Sequence, residues 1–239
     1  TLVPIAEEKA VAPEAVEAIA RAKQKITVCA ATGRPPLYAL PIVVAAGITS
    51  LCVMDGGALV IDPIHNEVTW EHPLSEDQVH SIVDIFRKYR SDDSLVNFSG
   101  RLVEEAAYEP EYEGSFHAMT FIHIHTDHQD AMLKELNAIP DITAHPTSPW
   151  NSEHNNVDIT HAKADKRHGV EELIRQLGVK KEEVIGVGDS WNDRPLFDAV
   201  GFKVAMGNAP DELKQLADYV APPVDEHGVV DVLNKFVLN

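Results

Sequence analysis

The sequence predicts an α/β protein with helices on both faces of a parallel sheet and an inserted α+β segment. Apolar runs of strand length alternate with helical patterns at both ends of the 239-residue chain, as in helix-flanked parallel sheets. The pattern changes near Pro63 and resumes at Asp165. Between these points, two helical patterns and several alternating strand-like runs predict an α+β insert. We therefore assign residues 1–65 and 162–239 to the core and residues 66–161 to the insert.

The first core segment is predicted to contain two helices and three strands. Pro13 suits the first turn of a helix over residues 12–23, and Gly47 ends a second helix over residues 38–46. A buried parallel strand is expected over residues 26–31, directly before Thr32-Gly33-Arg34. Strands over residues 50–54 and 58–61 follow, joined by a turn at Asp55-Gly56-Gly57.

The insert and the second core segment follow the same rules. In the insert we expect helices over residues 76–89 and 130–137 and strands over residues 95–98, 119–125, 142–144 and 156–160. Its acidic stretch, residues 104–113, is interpreted as a solvated loop or edge. Beyond Asp165, helices are expected up to Gly178, up to Val200, over residues 211–216 and from Gly228, with strands over residues 184–188, 203–206 and 218–221.

Oxygen-bearing side chains follow the strand predicted over residues 184–188. Asp189, Asn192 and Asp193 come within five residues of its end, and Pro195 then suits the first turn of a helix. Ligand sites in open α/β sheets lie at the carboxyl ends of strands. Hard oxygen ligands suit magnesium rather than zinc. The pattern therefore indicates a magnesium site, unless these side chains only cap the turn.

Composition narrows the class of function. The formal net charge of −18 argues against a nucleic-acid partner or an anionic membrane surface, since binding to phosphate-rich surfaces needs Lys and Arg. No apolar stretch approaches the length of a membrane span. Cys29 and Cys52 lie in apolar runs and are expected to be buried free thiols. These features indicate a soluble cytoplasmic protein; they leave its oligomeric state open.

Motifs at both ends of the chain resemble the haloacid dehalogenase (HAD) superfamily of phosphohydrolases, in particular its Cof-like branch. They occur in the family's order and spacing, and they are Ala31-Thr32-Gly33-Arg34-Pro35, Asp165-Lys166, Gly188-Asp189-Ser190-Trp191-Asn192-Asp193, Val204-Ala205-Met206-Gly207-Asn208-Ala209 and Asp225-Glu226-His227-Gly228-Val229. The middle of the chain matches only in size and α+β character. The resemblance implies a Rossmann-like core with a class IIB cap and a magnesium-dependent phosphatase.

The resemblance also implies roles for individual residues. Asp189 would bind Mg²⁺, and Asp193 would hold the water shell of the metal. Lys166 would place its ammonium against the phosphate oxygens, with Lys163 as a rival, and Thr32 would donate its hydroxyl to the same phosphate. The implied catalytic residues are thus Thr32, Lys166 and Asp189, and the implied phosphate-binding residues are Thr32, Gly33, Arg34, Lys166 and Asn192.

The nucleophile of the family is the one part that this chain does not contain. The resemblance implies attack by an aspartate from an Asp-x-Asp-Gly-Thr motif on the first strand, which gives an aspartyl-phosphate that water hydrolyses. The chain begins at Thr1, where that motif should just have ended, and no Asp-x-Asp-Gly occurs elsewhere. We therefore expect the nucleophile upstream of Thr1. The alternative is a HAD-like binding protein without catalysis.

The segment His123-Ile124-His125-Thr126-Asp127-His128 supports a further alternative. His-x-His-x-Asp-His is the zinc signature of metallo-β-lactamase folds, and neutral imidazoles are good zinc ligands. A cap strand with Asp127 capping the following helix explains the same residues.

We expect a phosphatase whose substrate is a small phosphorylated metabolite, with a sugar phosphate as the leading class.

Overall fold

The computed structural model describes residues 1–2, 11–98, 101–103, 116–146 and 153–239, with backbone alone for 101–103. The chain divides into two compact units, residues 1–70 with 166–239 and residues 71–165. The expected insert, residues 66–161, has boundaries close to those of the second unit. Whether that unit acts as a cap stays a prediction. The acidic stretch at residues 104–113 lies outside the described residues.

The first part of unit 1 contains two helices and three strands. In chain order they are α1 (Pro13–Ala22), α2 (Pro36–Ala45), β1 (Cys52–Met54), β2 (Leu59–Asp62) and β3 (Glu67–Glu71). The three strands form one sheet in the order β1-β2-β3, with β1 antiparallel to β2. Both helices begin with Pro in the first turn, where its missing N–H has no helical partner to lose.

The strand expected over residues 26–31 is wrong for the described structure, which has no strand there. Among the described residues, this segment forms only one parallel bridge, between Ala31 and Val53. Its hydrogen bonds to β1 are Val53 N to Ala30 O at 2.8 Å and Thr32 N to Val53 O at 3.0 Å. Bonds at a single point do not build a ladder. The segment nevertheless runs parallel to β1 and places Thr32 beside the carboxyl end of that strand.

Unit 2 is a five-stranded sheet with two helices. Its elements are α3 (Glu76–Tyr89), β4 (Leu95–Phe98), β5 (Arg101–Val103), β6 (Ala118–His125), α4 (Thr126–Leu136), β7 (Ile142–Pro146) and β8 (His154–His161). The sheet order is β5-β4-β6-β8-β7, with antiparallel pairing throughout. One core joins both helices to one sheet face, and its largest buried members are Phe86, Phe121, Ile82, Met119, Ile124 and Met132.

The start of α4 differs from the expectation. The helix begins at Thr126 rather than at Asp130, and its cap is His125 rather than Asp127. The Nδ1 atom of His125 accepts the backbone N–H of Asp127 at 3.2 Å. An imidazole nitrogen therefore takes the place of the usual cap oxygen, which the residue pattern does not reveal.

The opposite face of the unit 2 sheet is polar. Thr120 on β6 donates its hydroxyl to the carboxylate of Asp158 on β8 at 2.8 Å, and His145 on β7 lies opposite Asp158 in register. Burial raises the pKa of Asp158, against the opposing effects of this hydrogen bond and of His145.

At the ends of unit 2 the rings of His72 and His161 stack with centroids 3.8 Å apart. The two ends of the unit are therefore neighbours in space.

The remainder of unit 1 follows. Its elements are α5 (Lys166–Leu177), β9 (Ile185–Gly188), α6 (Arg194–Ala199), β10 (Phe202–Met206), α7 (Asp211–Gln215), β11 (Tyr219–Ala221) and α8 (Gly228–Leu233). The strands form a parallel sheet in the order β11-β10-β9. Their carboxyl ends therefore lie at one edge of that sheet. In the described part of the chain, no helix is both long and apolar enough to cross a membrane.

Candidate active site

The loop after β9 is held by the side chain of Asp193. Its Oδ2 accepts the backbone N–H groups of Asp189 at 2.8 Å and Ser190 at 3.0 Å. A Cβ at Gly188 would stand 2.5 Å from the Cβ of Asp193 and 2.9 Å from its Cγ. Glycine at the end of β9 therefore lets this carboxylate approach the backbone of the loop, which fixes the position of Asp189.

Lys166 and Asp193 form a buried ion pair. Each side chain is only 5% exposed, and the ammonium of Lys166 contacts Oδ1 of Asp193 directly. The same ammonium donates to Oδ1 of Asn192 at 3.2 Å. Lys166 is the first residue of α5, and this helix packs closely on unit 1 at Gly169, where a Cβ would come 2.6 Å from Val53. The packing of α5 thus places the cation at the end of β9.

Asp189 lies in a positive environment. Its Oδ2 is 3.1 Å from the amino group of Thr1 and accepts the amide N–H of Asn208 at 3.1 Å, while its Oδ1 accepts the Thr1 hydroxyl. Burial acts to raise the pKa of Asp189, but the Thr1 ammonium and these hydrogen bonds outweigh it, so the pKa lies below its ordinary value. The carboxylate is therefore held charged by the donors around it.

The second loop of the site follows the bridge at Ala31. The Thr32 hydroxyl oxygen accepts the backbone N–H of Arg34 at 3.1 Å, and the carbonyl of Arg34 accepts the N–H of Asp55 at 3.1 Å. A Cβ at Gly33 would come 3.1 Å from Nδ2 of Asn192. The structure therefore brings the Thr32–Arg34 loop against the loop that carries Asn192.

Lys163 and Lys166, the two lysines that the sequence left as rivals for phosphate binding, have different surroundings. Lys163 is exposed, whereas Lys166 is buried and bonded to two residues of the β9 loop. The guanidinium of Arg34 forms no ion pair with any residue in the described ranges. A surface salt bridge, the ordinary alternative role for an arginine at this position, is therefore not formed within those ranges. Its role in phosphate binding stays a prediction.

The donor set fits Mg²⁺. Magnesium is commonly bound through one or two carboxylates together with waters and substrate phosphate. Asp189 supplies a carboxylate at the carboxyl end of β9, with the amide of Asn208 as a neighbouring donor. Asp193 uses both oxygens on Lys166 and on backbone N–H groups, so in this arrangement it positions the loop. Its predicted part in holding the metal's water shell stays a prediction.

Sequence reasoning missed two contacts of this site. Asn208 follows β10 and joins Asp189 to the next loop, because its Oδ1 accepts the N–H of Val224 at 3.2 Å. The signal was present, since β10 is parallel to β9 and their carboxyl ends meet. Ser190 donates its hydroxyl to Asn192 Oδ1 at 2.5 Å. That contact depends on the 3-10 turn Trp191–Asp193, which a short pattern does not reveal.

In the described part of unit 2, the histidines are not grouped as a metal centre. The rings of His125 and His154 lie 5.5 Å apart, and those of His123 and His154 lie 6.2 Å apart. Across the described segments, no group of three or more His, Cys, Asp or Glu side chains is placed to hold a metal ion. The arrangement required by the zinc-hydrolase alternative, which used His123, His125, Asp127 and His128, is therefore not supported.

Comparison with protein families gives a match over most of the chain. The family model of haloacid dehalogenase-like hydrolases matches residues 1–233. The Phosphoglycolate phosphatase 1 of Saccharolobus solfataricus is 49% identical over 81 residues, which cover 34% of this chain and 36% of that protein. The 5-amino-6-(5-phospho-D-ribitylamino)uracil phosphatase of Bacillus subtilis is 26% identical over 97% of this chain and 91% of its own length.

The fold is shared with solved structures. A sugar phosphatase of haloacid dehalogenase subclass IIB matches with a TM-score of 0.75 and 22% identity over 99% of this chain and 95% of that one. At this identity the likeness shows the fold alone. The chain spans about a third of the length of the curated relatives that it matches first.

Proposed function

Because the chain belongs to the family of haloacid dehalogenase-like hydrolases, we propose that it is a magnesium-dependent phosphatase acting on a small phosphorylated metabolite. The observation that carries the proposal is the cluster at the end of β9. There a charged carboxylate at Asp189 and a buried ammonium at Lys166 are joined through Asp193 and the loop it holds. Such a set provides one site for a cation and one for phosphate oxygens.

The proposed roles follow from these contacts. Asp189 would hold Mg²⁺, which neutralises charge on the phosphate when bound. Lys166 would contact a phosphate oxygen with the one ammonium proton not used by Asn192 and Asp193. The Thr32 hydroxyl proton is available, because the oxygen accepts from Arg34 N. Thr32, Gly33, Arg34 and Asn192 would then complete the phosphate-binding set.

We propose that the attacking carboxylate precedes Thr1 in the encoded protein and forms an aspartyl-phosphate intermediate. The position of Thr1 beside Asp189 supports this, because residues joined to its amino group would enter the site. Unit 2 would act as the cap that selects the substrate, with sugar phosphates as the first class to test. The two free cysteines, Cys29 and Cys52, are consistent with a cytoplasmic location.

Hydrolysis of p-nitrophenyl phosphate tests this proposal. The protein with its preceding residues should release nitrophenol with Mg²⁺ and lose activity on chelation. Asp189→Ala should reduce kcat/KM by at least about 100-fold, the size expected for removal of a charge-stabilising group. Asp211→Ala, which removes an 87%-exposed carboxylate, is the matched control. Activity that survives both chelation and Asp189→Ala contradicts the mechanism; phosphate binding without turnover favours the non-catalytic alternative.

A further inference from the structure

Three large hydrophobic or aromatic side chains are exposed on the segments that carry candidate active-site residues or directly follow them. Trp191 is 56% exposed, Leu37 is 65% exposed and Tyr38 is 48% exposed. Trp191 stands in the 3-10 turn between Ser190 and Asn192, and Leu37 follows Arg34 by three residues. Large apolar side chains at a ligand site commonly fix the organic part of the ligand.

The backbone that carries Trp191 is fixed on both sides. Asp193 N donates to Ser190 O at 3.0 Å, which closes the turn around Trp191. The carboxylate of Asp193 bonds the N–H of Ser190, and the Ser190 hydroxyl bonds Asn192. The indole is therefore an exposed ring on a backbone segment that is held by hydrogen bonds. Such a ring loses little conformational entropy when another ring packs on it.

The start of α2 lies on the neighbouring side of the same site. Its loop touches the Trp191 loop, since a Cβ at Gly33 would come 3.1 Å from Asn192. None of the ten side chains of α2 carries a charged or amide group. Leu37 and Tyr38 are in the first turn of this helix. Val44 is 49% exposed on the same helix, but it lies seven residues from Leu37, about 10 Å along the axis. It provides a comparison away from the site.

We propose that Trp191 is a specificity-determining residue that favours phosphate monoesters whose alcohol carries an aromatic or heteroaromatic ring over the sugar phosphates named above as the first class to test. The inference rests on the proposed function, because it takes the phosphate to be bound by Lys166 and the Mg²⁺ at Asp189. With the phosphate there, the alcohol part lies next to the adjoining loop residues. A flat ring can pack on the exposed indole face, whereas a short polar alcohol leaves that face in water.

Binding of two phosphonates in the presence of Mg²⁺ tests the inference without turnover. Phenylphosphonate and methylphosphonate share the anionic group and differ in the ring. Isothermal titration should give a Kd for phenylphosphonate about tenfold lower than for methylphosphonate, the size expected for one ring-on-ring contact. This ratio should fall to about twofold or less in Trp191→Ala, remain in Trp191→Phe and remain in Val44→Ala.

Acrylamide quenching of tryptophan fluorescence gives a second readout. Phenylphosphonate should protect the wild-type protein from quenching, and this protection should be absent in Trp191→Phe, which retains Trp70 and Trp150. A wild-type ratio near one, or a ratio that persists in Trp191→Ala, overturns the specificity role and leaves the proposed phosphatase site standing. If neither phosphonate binds, both proposals are overturned.

Discussion

Replacing Lys166 with methionine tests whether the buried ion pair organises the candidate active site. The change keeps a side chain of similar length but removes the ammonium that contacts Asp193, and both partners are only 5% exposed. Removing one partner of a buried pair costs about 3 to 5 kcal/mol, because the other charge stays buried without compensation. The carboxylate of Asp193 keeps two backbone hydrogen bonds. We therefore expect a loss near the lower end, about 3 kcal/mol.

Urea unfolding at pH 7 measures this loss directly, and thermal unfolding should show a decrease in Tm of about 6 to 12 °C. Lys163→Met is the matched control, since Lys163 is exposed, and it should change the free energy of unfolding by less than about 0.5 kcal/mol. Asp193→Asn should also be destabilised, because it leaves the Lys166 charge buried.

The double variant Lys166→Met/Asp193→Asn separates charge compensation from packing. It removes both charges, while the asparagine oxygen can still accept the two backbone N–H groups. We expect its loss to be smaller than the sum of the single losses by about 2 kcal/mol or more. Single losses that simply add, or a Lys166→Met loss below about 1 kcal/mol, would refute the reasoning.

Three further predictions concern single positions. Gly188→Ala should cost about 1 to 3 kcal/mol in urea unfolding and abolish phosphatase activity, because the new Cβ would stand 2.5 Å from the Cβ of Asp193; full activity would contradict the close approach. Burial raises the pKa of Cys29 to about 12 and of Cys52 to about 11, so iodoacetamide at pH 8 should leave both thiols unmodified in the folded protein and alkylate both in urea, as mass spectrometry can show. Asp158→Asn should raise the free energy of unfolding at pH 7, because the buried carboxylate is destabilised there. The gain should shrink as pH falls through the raised folded pKa, because the folded carboxyl takes up a proton more readily than the unfolded one; an equal gain at pH 4 would contradict this.

Much of the fold could be predicted because its signals are local. Helix α3 was expected over residues 76–89 and has those bounds, since Ser75 and Gln78 form a capping box before an amphipathic pattern. The segment over residues 26–31 shows where local signals end. Its apolar run has the composition of a strand, but a strand also needs a hydrogen-bonded neighbour along its length, and apolar composition does not specify that neighbour.

The site divides in the same way. Asp189, Asn192 and Asp193 could be placed together from one strand end, because they lie within five residues of each other. The pairing of Lys166 with Asp193 spans 27 positions and depends on how α5 packs, so the sequence could suggest the cation but not its partner. The division of work between Asp189 and Asp193 was likewise hidden. Both are carboxylates, and only their contacts show that Asp193 holds the loop through two backbone N–H groups whereas Asp189 does not.

The stacked rings of His72 and His161 have an evolutionary consequence. They bring the entry and exit of residues 71–165 together, so the segment leaves the rest of the chain and returns to it at almost one point. A segment joined in this way can be lengthened, shortened or exchanged for another by recombination without stretching the chain on either side, because the ends to be bridged stay close. The residues proposed above to bind phosphate and Mg²⁺ all lie in the flanking segments, so that proposed site could be inherited unchanged while the intervening module diversifies.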